Sequence, residues 1–235
     1  LLNFFQNNGG VVATKSEGAT EDIIPEKASY YMIYQEGIYV GYRYYETRYE
    51  DYVMGTGNAG AYDYGSIVAY PFGYGLSYTQ FEYSDMKVQY EPGNDRFAIQ
   101  VTVTNTGNSF VGKETVQIYV QAPYTEYNKQ HGVEKASVVL CGFGKTGLLQ
   151  PQESETLTIY VDRADLASYD AYGERTYILD PGNYYFAAAT DAHDAVNSIL
   201  AAKGYTPENT EGRMDGTGNI KMVYTWNEAQ FDATT

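Results

Sequence analysis

Three polar residues late in the chain have side chains that could bind a metal ion. Asp191, His193 and Asp194 would supply carboxylate and imidazole ligands. They follow a strand-like run, so we favour a solvent-exposed hairpin or strand end for them. Residues 215–219 have the composition of a calcium loop but lack the terminal Glu at the required spacing. The sequence therefore predicts no metal site.

Two glycine-containing segments match phosphate-binding motifs by letter alone. Residues 55–60 have the glycine spacing of the dinucleotide fingerprint, which requires a strand before it and a helix after it, whereas residues 61–65 have a loop composition. Gly144, Lys145 and Thr146 match the end of a phosphate loop, but Val139 stands where that motif requires glycine. No cofactor is predicted.

Composition narrows the classes of partner. The chain has 27 Tyr and a formal net charge of -15, which would repel the phosphates of nucleic acid and an anionic membrane surface. Its single cysteine, Cys141, cannot form an internal disulfide or a multi-cysteine zinc site. The apolar opening at residues 1–5 is far too short to span a bilayer.

The middle of the chain has the pattern of short antiparallel strands. Residues 97–104 alternate apolar and polar side chains, and residues 115–121 do so again after a turn signal at residues 105–108. The full set of predicted strands is residues 81–90, 97–103, 115–121, 137–143, 156–161, 175–179 and 184–189. About seven short strands at this spacing predict an all-β sandwich.

The flanks have other patterns. Residues 30–45 are dense in Tyr, Ile and Val and could form an extended segment or a short helix, and residues 51–70 are predicted to form a long loop. The tail at residues 201–235 is mixed, with one strand-like run at residues 220–226. Because the chain starts at Leu1 rather than at a Met, we interpret it as a fragment of a longer protein.

Three segments of the sequence are more informative about its family than the composition is. Residues 34–45 and residues 70–81, the latter containing Pro71-Phe72-Gly73-Tyr74-Gly75, resemble the junction in family 3 glycoside hydrolases, where an α/β sandwich domain leads into a fibronectin type III-like domain. The strands themselves resemble that domain, from Val101-Thr102-Val103-Thr104-Asn105-Thr106-Gly107 through Asp180-Pro181-Gly182-Asn183-Tyr184. The resemblance covers roughly residues 30–190 in the family's order.

The resemblance implies a domain organisation. Residues 1–75 would be the tail of the α/β sandwich domain and a junction loop, and residues 76–200 a fibronectin type III-like (immunoglobulin-like) antiparallel β-sandwich. Residues 201–235 would be a linker or an arm toward another domain. In the usual order the sandwich ends the protein, so this extension indicates either such an arm or an order in which the barrel follows the sandwich, which we slightly favour.

The catalytic groups that the family needs are not matched in this chain. Retaining glycosidases use two carboxyl groups about 5–5.5 Å apart, a nucleophile and an acid/base. The family's nucleophile is an Asp in a Ser-Asp-Trp-like segment of a barrel, whereas the only tryptophan here, Trp226, follows Thr225. Glu17 superficially resembles the acid/base but lies too close to Glu36 for the family's arrangement. We therefore predict no catalytic residue in this chain.

Four residues are candidates for a place near substrate. Glu36 and Arg43 are expected to form a polar pair that braces the junction, with direct sugar contact as the lesser alternative. Tyr124 and Tyr127 lie in the predicted loop at residues 122–136, which could overhang a sugar site as residues 51–70 could. Ordinary interdomain packing is the favoured interpretation of these tyrosines.

The leading functional hypothesis is that the parent is a β-glucosidase-like exo-glycosidase. This chain would support its active site without performing chemistry, with the catalytic barrel and the α/β sandwich domain as partners and a β-glycoside or oligosaccharide as substrate. The alternative is a stand-alone carbohydrate-binding or adhesive β-sandwich. The compartment stays open, with a secreted or cell-surface bacterial location slightly favoured over a cytoplasmic one.

Overall fold

The structure is a computed structural model that describes residues 11–14, 30–33 and 37–233. The chain divides into two compact units, residues 1–40 and residues 41–235. In the first unit, strand β1 (Val11–Thr14) pairs antiparallel with strand β2 (Tyr30–Ile33). Everything described below belongs to the second unit.

Eight strands of the second unit occur at or close to the runs that the sequence pattern predicts, and the short strand at Ser168–Tyr169 was not predicted. They are β3 (Phe81–Glu91), β4 (Arg96–Asn105), β5 (Thr115–Gln121), β6 (Val139–Lys145), β7 (Ser154–Asp162), β8 (Ser168–Tyr169), β9 (Tyr177–Ile178), β10 (Gly182–Ala189) and β11 (Val223–Glu228). One antiparallel sheet has the order β11-β10-β5-β6 and the other the order β3-β4-β7, while β8 and β9 form a small pair of their own.

The two larger sheets face each other across a common core. The alternating residues of β4 that the sequence assigns to one face, Phe97, Ile99, Val101 and Val103, are fully buried. They pack in one cluster with the apolar face of β5 and with residues of β7 and β10. Full burial of one such side chain stabilises the fold by roughly 1.5–3 kcal/mol. This packing confirms the antiparallel β-sandwich.

Helices cover the outer face of the four-stranded sheet and form a third layer. The helices are α1 (Tyr42–Met54), α2 (Tyr64–Ile67), α3 (Glu126–His131) and α4 (Ala192–Ala202); α1, α2 and α4 form this layer, and α3 contributes no side chain to its core. Residues of α1 and α4 form a second core with Tyr119 of β5 and with Ala187 and Ala189 of β10. Strand β5 is therefore covered on both faces, which explains why nearly all of its residues are buried.

Helix α1 replaces part of the predicted loop at residues 51–70. Its buried residues Glu46, Tyr49 and Val53 recur at helical spacing, so one stripe faces the sheet. The helix ends at Gly55, which adopts the left-handed conformation at φ 66° with its N–H directed at the last turn. Gly55 thus follows a helix, whereas the dinucleotide fingerprint needs a strand before its first glycine.

Helix α4 replaces the hairpin or strand end expected at residues 191–194, and that expectation is wrong. Asp191 is the N-cap residue, and its carboxylate accepts a hydrogen bond from the Asp194 N–H. The buried apolar residues then recur at helical spacing, namely Ala192, Ala195, Val196, Ile199 and Leu200.

The tail contributes an edge strand to the sandwich. β11 pairs antiparallel with β10, and Trp226 packs against the inner core at Phe97 and Tyr184. The predicted domain boundaries at residues 75 and 200 stay predictions. None of the helices in the described residues is long and apolar enough to cross a membrane.

Candidate functional site

A tight turn at Pro71–Tyr74, called the junction turn here, connects the helical segment to the sandwich. The Tyr74 N–H donates to the Pro71 carbonyl at 3.1 Å, and Gly73 has φ 90°. A positive φ at the third residue of a β-turn favours glycine. A Cβ at Gly73 would also lie 2.0 Å from the Gln117 Oε1 atom. Glycine is therefore required here for its conformation and for its lack of a side chain.

Hydrogen bonds fix the junction turn to the end of the sandwich where β5 begins and β10 ends. The Gln117 side-chain amide donates to the carbonyls of Gly73 at 3.1 Å and Thr190 at 2.6 Å. The Ala192 N–H donates to the Phe72 carbonyl at 2.9 Å, and the Phe72 ring stacks on Tyr42 with centroids 4.4 Å apart. The turn is thus held by both the sheet and helix α4.

Large apolar side chains around this turn face solvent. We call them the junction patch, and its members are Tyr70 (70% exposed), Phe72 (46%), Tyr74 (46%), Leu76 (88%), Tyr78 (92%) and Phe110 (57%). The Tyr70 and Tyr74 rings lie 5.2 Å apart, and the Tyr78 and Phe110 rings 6.2 Å apart. Apolar groupings of this kind on a surface mark interaction sites.

A histidine between two carboxylates lies beneath the junction patch. His193 Nδ1 is 2.8 Å from the Glu46 carboxylate of α1, and His193 Nε2 is 3.0 Å from the Asp215 carboxylate. Its ring stacks on Tyr64 with centroids 3.7 Å apart, while the Tyr49 hydroxyl donates to Asp215 at 2.6 Å. We call Glu46, His193 and Asp215 the histidine bridge.

The electrostatics of the histidine bridge favour the charged forms of His193 and Asp215. Burial opposes a charge on His193, but hydrogen bonds to Asp215 and Glu46 raise its pKa to about 9. Burial likewise opposes ionisation of Asp215, yet the donors His193 and Tyr49 lower its pKa to about 2. The bridge is therefore ionic around neutral pH and joins α1, α4 and the tail.

The alternative of a metal site at Asp191, His193 and Asp194 finds no geometric support. Both ring nitrogens of His193 are already bonded to carboxylates, and no cluster of His, Cys, Asp or Glu suited to a metal ion occurs in the part of the chain that the structure describes. No local sequence pattern signals the bridge, because Glu46 and His193 lie 147 residues apart.

The three predicted site residues that the structure describes, Arg43, Tyr124 and Tyr127, do not come together. Glu36 lies outside the described residues, so its pairing with Arg43 stays a prediction. Arg43 is half-buried in the first turn of α1, where its carbonyl accepts the Thr47 hydroxyl at 2.6 Å.

Tyr124 and Tyr127 lie at the opposite end of the sandwich, called the far end here. It comprises residues 122–136 and the β8–β9 pair. Tyr124 is 58% exposed, whereas the Tyr127 ring stacks on His131 at 4.0 Å and its hydroxyl donates to Asp170 at 2.6 Å. Sugar stacking stays a prediction, for which the Tyr124 ring is the more exposed of the two, with Lys129 Nζ 5.9 Å from its centroid.

Comparison with known proteins places the sandwich in a family. Residues 114–192 match the fibronectin type III-like domain family. These residues run from the start of β5 to the first residue of α4. They include Gln117 and Ala192, whose N–H groups hold the junction turn. The fold and the family match therefore agree on a fibronectin type III-like sandwich.

Relatives extend the match upstream and downstream of that domain. The chain is 40% identical over 167 residues to a β-glucosidase of Ruminococcus albus, with 69% of this chain and 15% of the relative covered. It is also 40% identical over 180 residues to β-glucosidase A of Butyrivibrio fibrisolvens, with 70% of this chain and 19% of the relative covered.

A solved structure agrees with these relatives. β-Glucosidase 3B from Thermotoga neapolitana, in complex with α-D-glucose, superposes with a TM-score of 0.58 at 30% identity, covering 85% of this chain and 20% of that one. These similarities confirm the resemblance to family 3 glycoside hydrolases, of which this chain matches a small part that includes the fibronectin type III-like domain. The chain spans a fifth or less of the length of the relatives just named.

Proposed function

We propose that this chain is a non-catalytic supporting part of a family 3 exo-acting glycoside hydrolase. The parent would be β-glucosidase-like and would hydrolyse terminal β-linked sugars with retention. The chain would brace the catalytic barrel and the α/β sandwich domain. The observation that carries the proposal is the junction turn, which is fixed to the sandwich by its backbone while its aromatic rings face outward.

The inner and outer sides of that turn each support a bracing role. Its carbonyls are bonded inward to Gln117 and Ala192, so the turn cannot move independently of the sandwich. Its outward rings would gain about 25 cal/mol for each Å² of apolar surface that a neighbouring domain covered. A rigid turn with uncovered rings suits a permanent contact between domains, and it supports a bracing role.

A complementation assay tests the proposal. The longer protein would be expressed without residues 41–235, and this segment would be added back while hydrolysis of an aryl β-glucoside is followed. We expect the segment alone to be inactive, the truncated protein to be weakly active or unstable, and the mixture to recover activity. Hydrolysis by the segment alone, or full activity without it, would contradict the proposal.

A second function, a stand-alone carbohydrate-binding or adhesive sandwich, is favoured by one observation. At the far end Tyr124 is 58% exposed and Tyr172 is 78% exposed, and exposed tyrosine rings can stack on sugar faces. Calorimetric titration of the chain with oligosaccharides separates the two functions. Binding tighter than millimolar would favour this second function, and no heat with any oligosaccharide would favour the bracing role.

A further inference from the structure

A cleft of about 460 Å³ opens beside the junction patch. One wall is formed by Pro71 and Tyr74 of the junction turn, and the opposite wall by the loop at residues 216–219. The first turn of α4 forms the floor with Asp191, His193 and Asp194. The cleft thus brings an aromatic ring of the patch next to two carboxylates.

The two carboxylates of the floor have no cationic partner within the described residues. Neither Asp191 nor Asp194 takes part in a salt bridge there. The Asp191 carboxylate accepts from the backbone N–H groups of Asp194 and His193, and the Asp194 carboxylate accepts from the Thr190 N–H and hydroxyl at 3.2 and 3.3 Å. All of these donors are uncharged groups.

His193 is the one basic side chain among the described residues that line the cleft, and it offsets this charge only in part because it forms no salt bridge with Asp191 or Asp194. Its two nitrogens are bonded to Glu46 and Asp215, which are two further carboxylates. Burial, together with the nearby Asp194 carboxylate, raises the pKa of Asp191. The cleft therefore carries an excess of negative charge next to exposed aromatic rings.

We propose that the junction patch and this cleft form one docking surface, and that its partner is a surface of the parent protein that inserts an arginine side chain beside Tyr74 and against Asp191 and Asp194. The inference rests on the proposed bracing function and specifies its partner. Charge complementarity selects the arginine: its planar guanidinium stacks on an aromatic ring and at the same time donates to carboxylates. The uncovered rings of Tyr70 and Tyr74, 5.2 Å apart, provide the apolar contact around it.

A titration with small probes tests the chemistry of the cleft. The chain would be titrated with Nα-acetyl-arginine methylamide and, in parallel, with the neutral and nearly isosteric Nα-acetyl-citrulline methylamide, while backbone amide resonances are followed by NMR. We expect saturable shifts at residues 74, 191 and 194 with the arginine probe, and binding at least about tenfold weaker with the citrulline probe. Equal binding of both probes, or shifts at these residues with glucose or cellobiose instead, would overturn the inference.

An assembly measurement tests the docking surface itself. The double variant Asp191→Asn, Asp194→Asn removes the two charges but keeps the capping geometry, since Asn is also a good N-cap. Its affinity for the rest of the parent protein should fall about 30-fold or more. The matched control Glu134→Gln, Glu174→Gln removes two exposed charges at the far end and should leave the affinity within about twofold.

The outcomes separate this inference from the bracing function. If the unaltered chain restores activity and the double variant assembles equally well, the docking inference is wrong and the bracing function stands. If the unaltered chain restores nothing, the bracing function fails and the probe titration still reports on the cleft. Self-association of the chain through this face, seen by sedimentation and lost in Tyr74→Leu, would identify a second copy as the partner and overturn the inference. Should the double variant not fold, Tyr74→Leu serves in its place.

Discussion

The two ends of the sandwich treat their carboxylates in opposite ways. At the junction end, Asp191 and Asp194 accept from backbone N–H groups and a hydroxyl and form no salt bridge with any described residue. At the far end, the Asp180 carboxylate is fully buried and accepts from Lys135, from Asn128 at 3.0 Å and from Thr125 at 3.1 Å. The far end satisfies its own charges, whereas the junction end does not.

A second carboxylate at the far end follows the same rule. Asp170 accepts three backbone N–H groups, those of Tyr172, Gly173 and Glu174, as well as the Tyr127 hydroxyl. Despite the opposing effect of burial, these donors hold the pKa of Asp170 well below its usual range. The difference between the ends teaches that the carboxylates Asp170 and Asp180 of the far end are held by internal donors, whereas Asp191 and Asp194 of the junction end form no salt bridge with any described residue.

The largest effect is expected from breaking the internal pairing at the far end. Lys135 and Asp180 have side chains 4% and 0% exposed, so Lys135→Met would leave a buried carboxylate without its cation. We expect the free energy of unfolding to fall by about 3–5 kcal/mol in urea denaturation. The control Lys129→Met removes an exposed pair with Glu126 and should cost less than about 1 kcal/mol. Equal losses in the two variants would show that the far end is not held by buried charge.

The histidine bridge predicts a loss of stability at alkaline pH. The pKa of His193 is 6.5 in the reference state and about 9 when folded, which corresponds to roughly 3 kcal/mol. Because the folded pKa is the higher one, this stability is fully present below pH 6.5 and is lost as the pH rises through 9. We expect urea denaturation between pH 6.5 and 9.5 to show the loss in the unaltered chain and not in His193→Gln. Parallel curves for the two proteins would refute the ionic bridge.

The junction turn predicts a smaller and local effect. Gly73→Ala places a Cβ in a positive-φ conformation 2.0 Å from Gln117, which must move and release the carbonyls it holds. We expect a loss of about 2 kcal/mol on unfolding. Gly75→Ala is the matched control, since a Cβ there meets nothing within 4 Å. A Gly73→Ala protein as stable as this control would mean that the turn is not fixed to the sandwich.

The smallest effect separates the two far-end tyrosines. Tyr127→Phe removes one donor to the Asp170 carboxylate and should cost about 1 kcal/mol, since three backbone donors remain. Tyr124→Phe alters an exposed hydroxyl and should change the free energy of unfolding by less than about 0.5 kcal/mol. If the Tyr124 variant were the less stable of the two, the assignment of Tyr127 to internal packing would be wrong.

Much of the sandwich could be predicted from the sequence because its strands obey a local rule. Alternation along residues 97–103 places one set of side chains inside, and the structure buries that set completely. Helix α1 was missed because its many tyrosines favour strands by propensity, although Tyr42, Tyr45, Tyr49 and Val53 recur at helical spacing. Helix α4 has a readable signal in its Asp191 cap and its apolar stripe. The same segment also has side chains of metal-ligand type, and this second pattern competes with the helical one.

The candidate site could be predicted only in part. The junction turn was singled out by its Pro-Phe-Gly-Tyr-Gly motif, because such a motif restricts the backbone locally. The groups that hold the turn could not be predicted, because Gln117 occupies a position in the alternation of β5 that is normally exposed. The layer of helices buries this face of β5, and that layer depends on contacts between distant parts of the chain.

The histidine bridge also has a mechanical consequence. It joins α1, which precedes the sandwich strands in the chain, to α4 and Asp215, which follow nearly all of them. A pull on Gly41 against the sandwich would load the Tyr42 hydroxyl, which accepts from the Leu140 N–H of β6, and then the short ionic linkage between Glu46 and His193. Such a linkage gives way abruptly rather than stretching, so α1 and the sandwich should transmit force and displacement as one stiff lever.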